Sequence, residues 1–344
     1  MSRHTDKTII TSPEKWEKVS DKNKKLMDSF LDEKDTRCSS ETVNGYRSDL
    51  TIFFSYVLDN LDNKFFIDIR KMEFSMFFSF CVNKLGWKGS ARFNRMRSVL
   101  SSLSNYIERV MDDEYPTYKN IILKAVQTMP KAVAREKTIL SEEQINKLLK
   151  QLVEEKRFQE SCVIALAIAS GARISELLRI TTDLIDTTHL AYSDIFIETL
   201  KQIKTKGRTK TGDMKFKYII KDLFIPYYEL WLPERERIMK ENGKEHNCIF
   251  IDQNGDEANL STIRYWIPMW EKFLGVDIYM HSMRHYTVTF LTKIGLPTDL
   301  IIEIMGWKSG EAMYKIYNDL DGKSREWKEL SKLKDHLDKQ DEVK

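Results

Sequence analysis

Between residues 41 and 59, apolar side chains return at helical spacing, so that Val43, Tyr46, Leu50, Phe53, Phe54 and Val57 share one face. That spacing predicts an amphipathic helix. Segment 66–85, dense in Phe and Met, predicts a second, and 90–110 a third, with Phe93, Met96, Leu100, Leu103 and Ile107 as its stripe. A fourth helix is expected after Tyr118. Helices that each hide one stripe against their neighbours predict a small all-α domain over 21–129, preceded by a flexible polar arm over 1–20. Pro130 then stops the helical pattern, and 130–138 reads as a linker. Its Lys131, Arg135 and Lys137 could follow a phosphate backbone, or the stretch could be an ordinary polar loop.

A second unit is expected over 139–344. It opens at Leu140-Ser141, where Ser141 fits an N-cap, Gln144 its capping-box partner, and Leu140 a hydrophobic staple. An apolar helix over 157–170 runs into Gly171 as a stop. Residues 194–200 alternate as a strand does, and 215–225 could return beside them. Between these lies a basic turn punctuated by glycine, with Lys204, Lys206, Arg208 and Lys210. Helices are expected again at 226–241, 260–273, 282–294, 297–305 and 323–336. The architecture is therefore mainly α with a small β-sheet, an all-α domain followed by an α+β domain.

Composition adds little that contradicts this. Hydrophobic residues make up 42% and charged residues 31% of the 344, as in a globular chain, and only 13 Gly and 7 Pro are present. A net charge of +3 is too small to diagnose a partner, so any nucleic-acid binding must come from local clusters. One such cluster is Arg92, Arg95 and Arg97 in the first turns of the third helix, which would suit DNA or simply a solvated face. Cys38, Cys81, Cys162 and Cys248 are scattered, which argues against a disulfide framework or a zinc site and for a reducing interior. The first residues lack the apolar region of a signal peptide. The longest apolar run, Cys162 to Ala169, is too short to span a bilayer. A cytoplasmic protein is expected, with no membrane partner, no metal and no cofactor.

The candidate chemistry lies in the second unit, where Arg173, Lys210, His281, Arg284, Trp307 and Tyr317 follow one another along the chain. Guanidinium forks can neutralise and orient the two non-bridging oxygens of a phosphodiester. A phenol can act as nucleophile, and cationic or hydrogen-bonding groups can stabilise the charge that develops. Taken alone, Arg173 is better explained by a structural salt bridge to Glu176, three residues on. His281 and Arg284 are also three apart and could converge on one phosphate from a single helical face.

The stretches ARISEL (172–177), GRTKT (207–211), HSMRH (281–285) and GWKS (306–309), with Tyr317 after them, resemble the tyrosine recombinase (phage integrase) family, Cre-like members in particular. The motifs cover about 140–325. The all-α segment before them resembles the family's SAM-like core-binding domain by architecture alone.

The resemblance implies that Arg173 and Arg284 grip the scissile phosphate and that Lys210 protonates the 5′-oxygen leaving group. It implies that His281 assists proton transfer and that Tyr317 forms a 3′-phosphotyrosine. Trp307 would stand where most members carry a second histidine, and Glu176 and His285 would orient these groups. Lys201, Lys204 and Lys206 also lie near the turn, and Tyr314 lies near Tyr317. Segment 324–339, with Trp327, Leu330, Leu333 and Leu337 at helical spacing, would dock on a neighbouring protomer or fold back on its own domain. The implied enzyme exchanges DNA strands without metal or ATP, as a homo-tetramer with a dimer on each double-stranded site. A type IB topoisomerase-like enzyme and a catalytically silent DNA-binding protein are the alternatives.

Overall fold

A computed structural model of the chain describes residues 10–87, 89–130, 140–205, 207 and 212–307. Two compact units divide near residue 135.

Serine caps set the start of the first unit's leading helices. Ser12 accepts from the backbone N–H of Lys15 ahead of α1 (Pro13–Lys18), and Ser20 from Asn23 at the start of α2 (Asp21–Asp35). Ser39 does the same for α3 (Ser40–Asn60). There follow α4 (Lys71–Asn83), α5 (Ser90–Val110) and the short α6 (Ile122–Ala125). The stripes read from the sequence face inward. Phe53 lies at the centre, edge-on to Phe77 at 4.9 Å and stacked on Phe74 at 5.7 Å, all three fully buried.

Two features differ from expectation. The arm expected over 1–20 is, in its described part, tied to the core: Ile10 and Val19 are buried, and α1 packs on α3. Helix α2, which the sequence did not single out, buries Leu26, Met27, Phe30 and Leu31 along one face.

In the second unit, α7 (Glu142–Glu154) begins with the anticipated capping box. Gln144 N–H donates to Ser141 Oγ at 3.2 Å, and Ser141 N–H donates to Gln144 Oε1 at 2.9 Å. Leu140 and Ile145 are buried in one cluster, as a hydrophobic staple requires. Helix α8 (Phe158–Ser170) is buried on nearly all sides and forms the axis of the unit, with α7 against it. It ends at Gly171, whose φ of +55° is the left-handed conformation glycine adopts at no steric cost. A one-turn helix, α9 (Ile174–Leu177), follows.

The sheet is antiparallel, in the order β1 (Leu190–Ala191), β2 (Phe196–Glu198), β5 (Tyr218–Ile220). Phe196 faces Ile220, Ile197 faces Ile219 and Glu198 faces Tyr218, so the two strand segments read from the sequence do pair. A separate hairpin pairs β3 (Ile203–Thr205) with β4 (Asp213–Lys215), and most of the basic stretch expected between them lies outside the described residues. The returning strand is shorter than expected, because α10 (Lys221–Glu241) starts at Lys221 and runs through Pro226 and Pro233. The apolar face Phe224, Tyr228, Trp231 continues across Pro226, with Phe224 stacked on Tyr228 at 4.8 Å. Packing of that face on α8 outweighs the hydrogen bond the proline removes.

Helices α11 (Leu260–Leu274), α12 (Met280–Lys293) and α13 (Thr298–Ile304) complete the described chain. The helix expected at 323–336 lies outside it. Among the described residues no helix is long and apolar enough to cross a membrane, and none of the four cysteines is in a disulfide.

Candidate active site

Arg173 is the N-cap residue of α9, one residue beyond the turn that ends α8. Its guanidinium donates to Glu176 Oε1 at 2.8 Å, while its backbone N–H donates to Glu176 Oε2 at 3.2 Å. One carboxylate therefore holds both ends of the arginine. Glu176 is fully buried, and its Oε2 also accepts from Lys217 Nζ at 2.7 Å. Burial alone would raise the Glu176 carboxyl, but Lys217 and Arg173 outweigh it and hold the pKa at about 2. Burial lowers Lys217, with Glu176 opposing and Arg284 and Arg173 adding to the fall. The salt bridge expected between Arg173 and Glu176 is thus present, as part of a three-residue network.

Arg284, from the first turns of α12, is fully buried beside this network. Its Nη1 donates to the carbonyl of Gly171, and its Nη2 donates to the carbonyl of Met305 at 3.2 Å. The fork thus joins the end of α8 to the segment after α13 and is held in a fixed plane. The Trp307 ring lies 5.3 Å from the guanidinium carbon, within cation–π range. Trp307 is buried with Phe196, Val288, Leu291, Ile301, Ile304 and Met305. Gly306, with φ +65°, turns the chain into it.

His281 is exposed, and its ring meets the buried His285 edge-on at 4.7 Å one turn along α12. Of the catalytic candidates, Arg173, Arg284 and Trp307 gather with Glu176 in one cationic nest, and His281 stands on the helix that supplies Arg284. Lys210 and Tyr317 lie outside the described residues, as do Tyr314 and segment 324–339.

The structure gives the basic DNA-contact candidates unequal surroundings. Arg92 and Arg95 both pair with the buried Asp49; Arg95 Nε lies 2.8 Å from its Oδ2, and Arg95 is the more exposed of the two. Arg92 also stacks over Trp87 at 4.7 Å. Arg97 donates to the carbonyls of Val126 at 2.6 Å and Leu123 at 3.3 Å, so it holds α6 onto α5. Lys204, on β3, is exposed. Lys131, Arg135, Lys137, Lys206 and Arg208 lie outside the described residues.

Lys217 is the site residue the sequence did not yield. A signal existed: along β5 and the residue before it, Lys217 and Ile219 share the inward parity, and both are buried. A lysine at an inward strand position implies a buried anionic partner.

A mainly helical unit with a small antiparallel sheet, gathering two arginines, a lysine and an indole, is suited to holding a phosphodiester. Residues 138–323 match the model of the Phage integrase family, and the chain belongs to that family, the tyrosine site-specific recombinases, which cleave and rejoin DNA. It is 25% identical over 287 residues to the SPbeta prophage-derived recombinase-like protein YomM of Bacillus subtilis (strain 168), covering 81% of each chain. It is 24% identical over 278 residues to a tyrosine recombinase of Thermosipho africanus, covering 78% of this chain and 86% of that one. Among solved structures, XerH site-specific recombinase bound to palindromic difH substrate in a post-cleavage complex shares the fold. Its TM-score is 0.61 at 19% identity, over 83% of this chain and 78% of that one. A lambda integrase dimer bound to a COC′ core site gives a TM-score of 0.58 at 16% identity, over 85% of this chain and 94% of that one.

Proposed function

We propose that the chain is an active site-specific recombinase that cuts and rejoins duplex DNA through a 3′-phosphotyrosine, with Tyr317 as nucleophile. The observation that carries this is the nest in which Arg173 and Lys217 share the buried Glu176, with the Arg284 guanidinium beside them. Guanidinium forks fixed side by side are suited to an oxyanion, and a scissile phosphate supplies one. Arg173 and Arg284 orient the non-bridging oxygens, and the carbonyl anchors on Arg284 fix its fork before DNA arrives.

The Tyr317 oxygen attacks phosphorus; the P–O5′ bond breaks as the P–O(Tyr) bond forms, and Lys210, which falls between β3 and β4 in the sequence, protonates the departing 5′-oxygen. His281 assists proton transfer. Trp307 takes the place of a second histidine, as in Cre-like recombinases, and donates a hydrogen bond without carrying a proton. The phosphotyrosine preserves the energy of the broken bond, so attack by a 5′-hydroxyl restores the backbone without ATP. Cationic side chains meet the transition-state charge, so no divalent ion is required.

Arg92, Arg95, Lys204, Lys206 and Arg208, together with Lys131, Arg135 and Lys137 of the linker, track the DNA backbone. Two protomers occupy inverted half-sites, and two such dimers synapse as a tetramer through segment 324–339. The protein resides with the DNA in the cytoplasm.

The test is to incubate the protein with duplexes tiled across the DNA flanking its gene, in excess chelator, and then denature with detergent. A covalent protein–DNA adduct is expected, identifying the target site. Adduct that forms only when Mg²⁺ is restored would overturn the metal-independent mechanism. Supercoil relaxation without strand exchange would point to a topoisomerase instead.

A further inference from the structure

We propose that Lys217 is a positioning residue for strand cleavage: it holds one oxygen of Glu176 so that the other fixes the Arg173 guanidinium against the scissile phosphate. This rests on the recombinase chemistry proposed above. It adds a residue that lies in none of the motifs from which that chemistry was inferred.

The geometry points to Lys217 in three ways. Its ammonium is 1% exposed and is bonded at 2.7 Å to Glu176 Oε2, the same oxygen that receives the Arg173 backbone N–H. Glu176 Oε1 is thereby left to the Arg173 guanidinium, at 2.8 Å. Lys217 also lies at the centre of the site. Its Nζ is 3.9 Å from where a Cβ on Gly306 would stand, beside the backbone that leads into Trp307, and it is within electrostatic reach of both Arg173 and Arg284.

The fold itself does not need a charge there. The next inward residue, Ile219, and its cross-strand partner Ile197 are fully buried and apolar. An apolar side chain of similar length would fill the slot without the desolvation that a buried ion pair incurs.

Removing the ammonium has two consequences for chemistry. Glu176 Oε2 loses its strongest partner, and the whole carboxylate becomes available to Arg173, drawing the guanidinium toward α9 and away from substrate. The nest also loses a positive charge where a phosphorane transition state carries more negative charge than the ground state.

The test compares the wild type with Lys217→Met on a nicked duplex that carries the site recovered as adduct and traps the cleaved strand. Single-turnover cleavage at saturating protein should fall by about 10²-fold, the scale of a slightly misplaced catalytic group, while affinity for the duplex stays within about threefold, because many other phosphate contacts carry it. A second substrate replaces one non-bridging oxygen of the scissile phosphate with methyl, removing its charge. On it, the ratio of wild-type to variant rate should shrink to less than about tenfold, because the charge that Arg173 answers is absent. A merely structural defect would leave the ratio equal on both substrates.

Should Lys217→Met fail to fold with Glu176 half-paired, the pairwise variant Glu176→Gln/Lys217→Met removes both buried charges and should show the same loss and the same recovery. A folded variant that cleaves the ordinary phosphate at the wild-type rate, or loses equally on both substrates, overturns the positioning role. A wild type that forms no adduct overturns the recombinase chemistry instead.

Discussion

Glutamine at 176 is isosteric with glutamate but removes the anion that two buried or half-buried cations share. On folding, the Glu176 carboxyl moves from an ordinary value of 4.5 down to about 2. A drop of that size corresponds to about 3 kcal/mol of stability at neutral pH. Because the folded value is the lower one, this stability is fully present above pH 4.5 and is lost as pH falls toward 2. In Glu176→Gln, the Lys217 ammonium keeps only an amide oxygen, and losing one partner of a buried pair typically costs about 3–5 kcal/mol. We therefore expect Glu176→Gln to lose about 3 kcal/mol at pH 7, read from urea unfolding of the full chain. The gap between variant and wild type should hold down to about pH 5 and narrow below 4.5, for as long as both proteins remain folded. A gap smaller than about 1 kcal/mol at pH 7, the size of an ordinary neutral hydrogen bond, would refute the reasoning. So would a gap that stays constant down to pH 3.5.

Gly171→Ala should cost about 1–2 kcal/mol, chiefly from the left-handed backbone it would have to hold, with the flexible end of Met305, 2.6 Å from the new Cβ, obliged to shift. A melting temperature unchanged from wild type would contradict the backbone strain assigned to position 171. Arg97→Ala should destabilise the first unit by about 1–3 kcal/mol, since the carbonyls of Val126 and Leu123 lose their donor, and should leave the salt dependence of DNA binding unaltered. Arg95→Ala should lower the log–log salt slope by about 0.9, the value for one lost phosphate contact. The opposite pattern in the two variants would reverse the roles given to these arginines.

What the sequence revealed and what it hid follow from the range of the interactions involved. The capping box at Ser141 and Gln144, the stripe of α3 and the stop at Gly171 are local devices, set by residues within a turn or two, and each is legible as spacing. The pairing of 194–200 with 215–225 was legible through alternation, and it is realised between Phe196–Glu198 and Tyr218–Ile220. Helix α10 was read as strand up to Pro226, because a proline suggests a helix start; only the face Phe224, Tyr228, Trp231, packed on α8, shows the helix beginning earlier. Residues 10–20 look like a polar arm because Ile10 and Val19 are isolated in sequence, and their burial depends on helices that fold around them.

At the site, Arg173, Glu176, Arg284 and Trp307 were found through motifs, and the structure brings them together. Lys217 was missed because its partner Glu176 is 41 positions away, so the inward strand parity that marked it gave no sign of which anion it meets. Arg92, Arg95 and Arg97 looked alike as sequence, and only their acceptors, a buried aspartate for two and a pair of carbonyls for the third, tell them apart.

The central claim is that a tyrosine of this chain becomes covalently joined to DNA, and the nucleotidyl-peptide tests it most directly. The adduct trapped on a nicked target site would be digested with protease and nuclease, and the modified residue located by mass spectrometry. The expected products are a 3′-phosphate ester on Tyr317 and a free 5′-hydroxyl on the released strand, with no adduct from Tyr317→Phe while Tyr314→Phe still cleaves. A nucleotide on Tyr314 or any other residue, a 5′-phosphate linkage, or an adduct that survives Tyr317→Phe would contradict it.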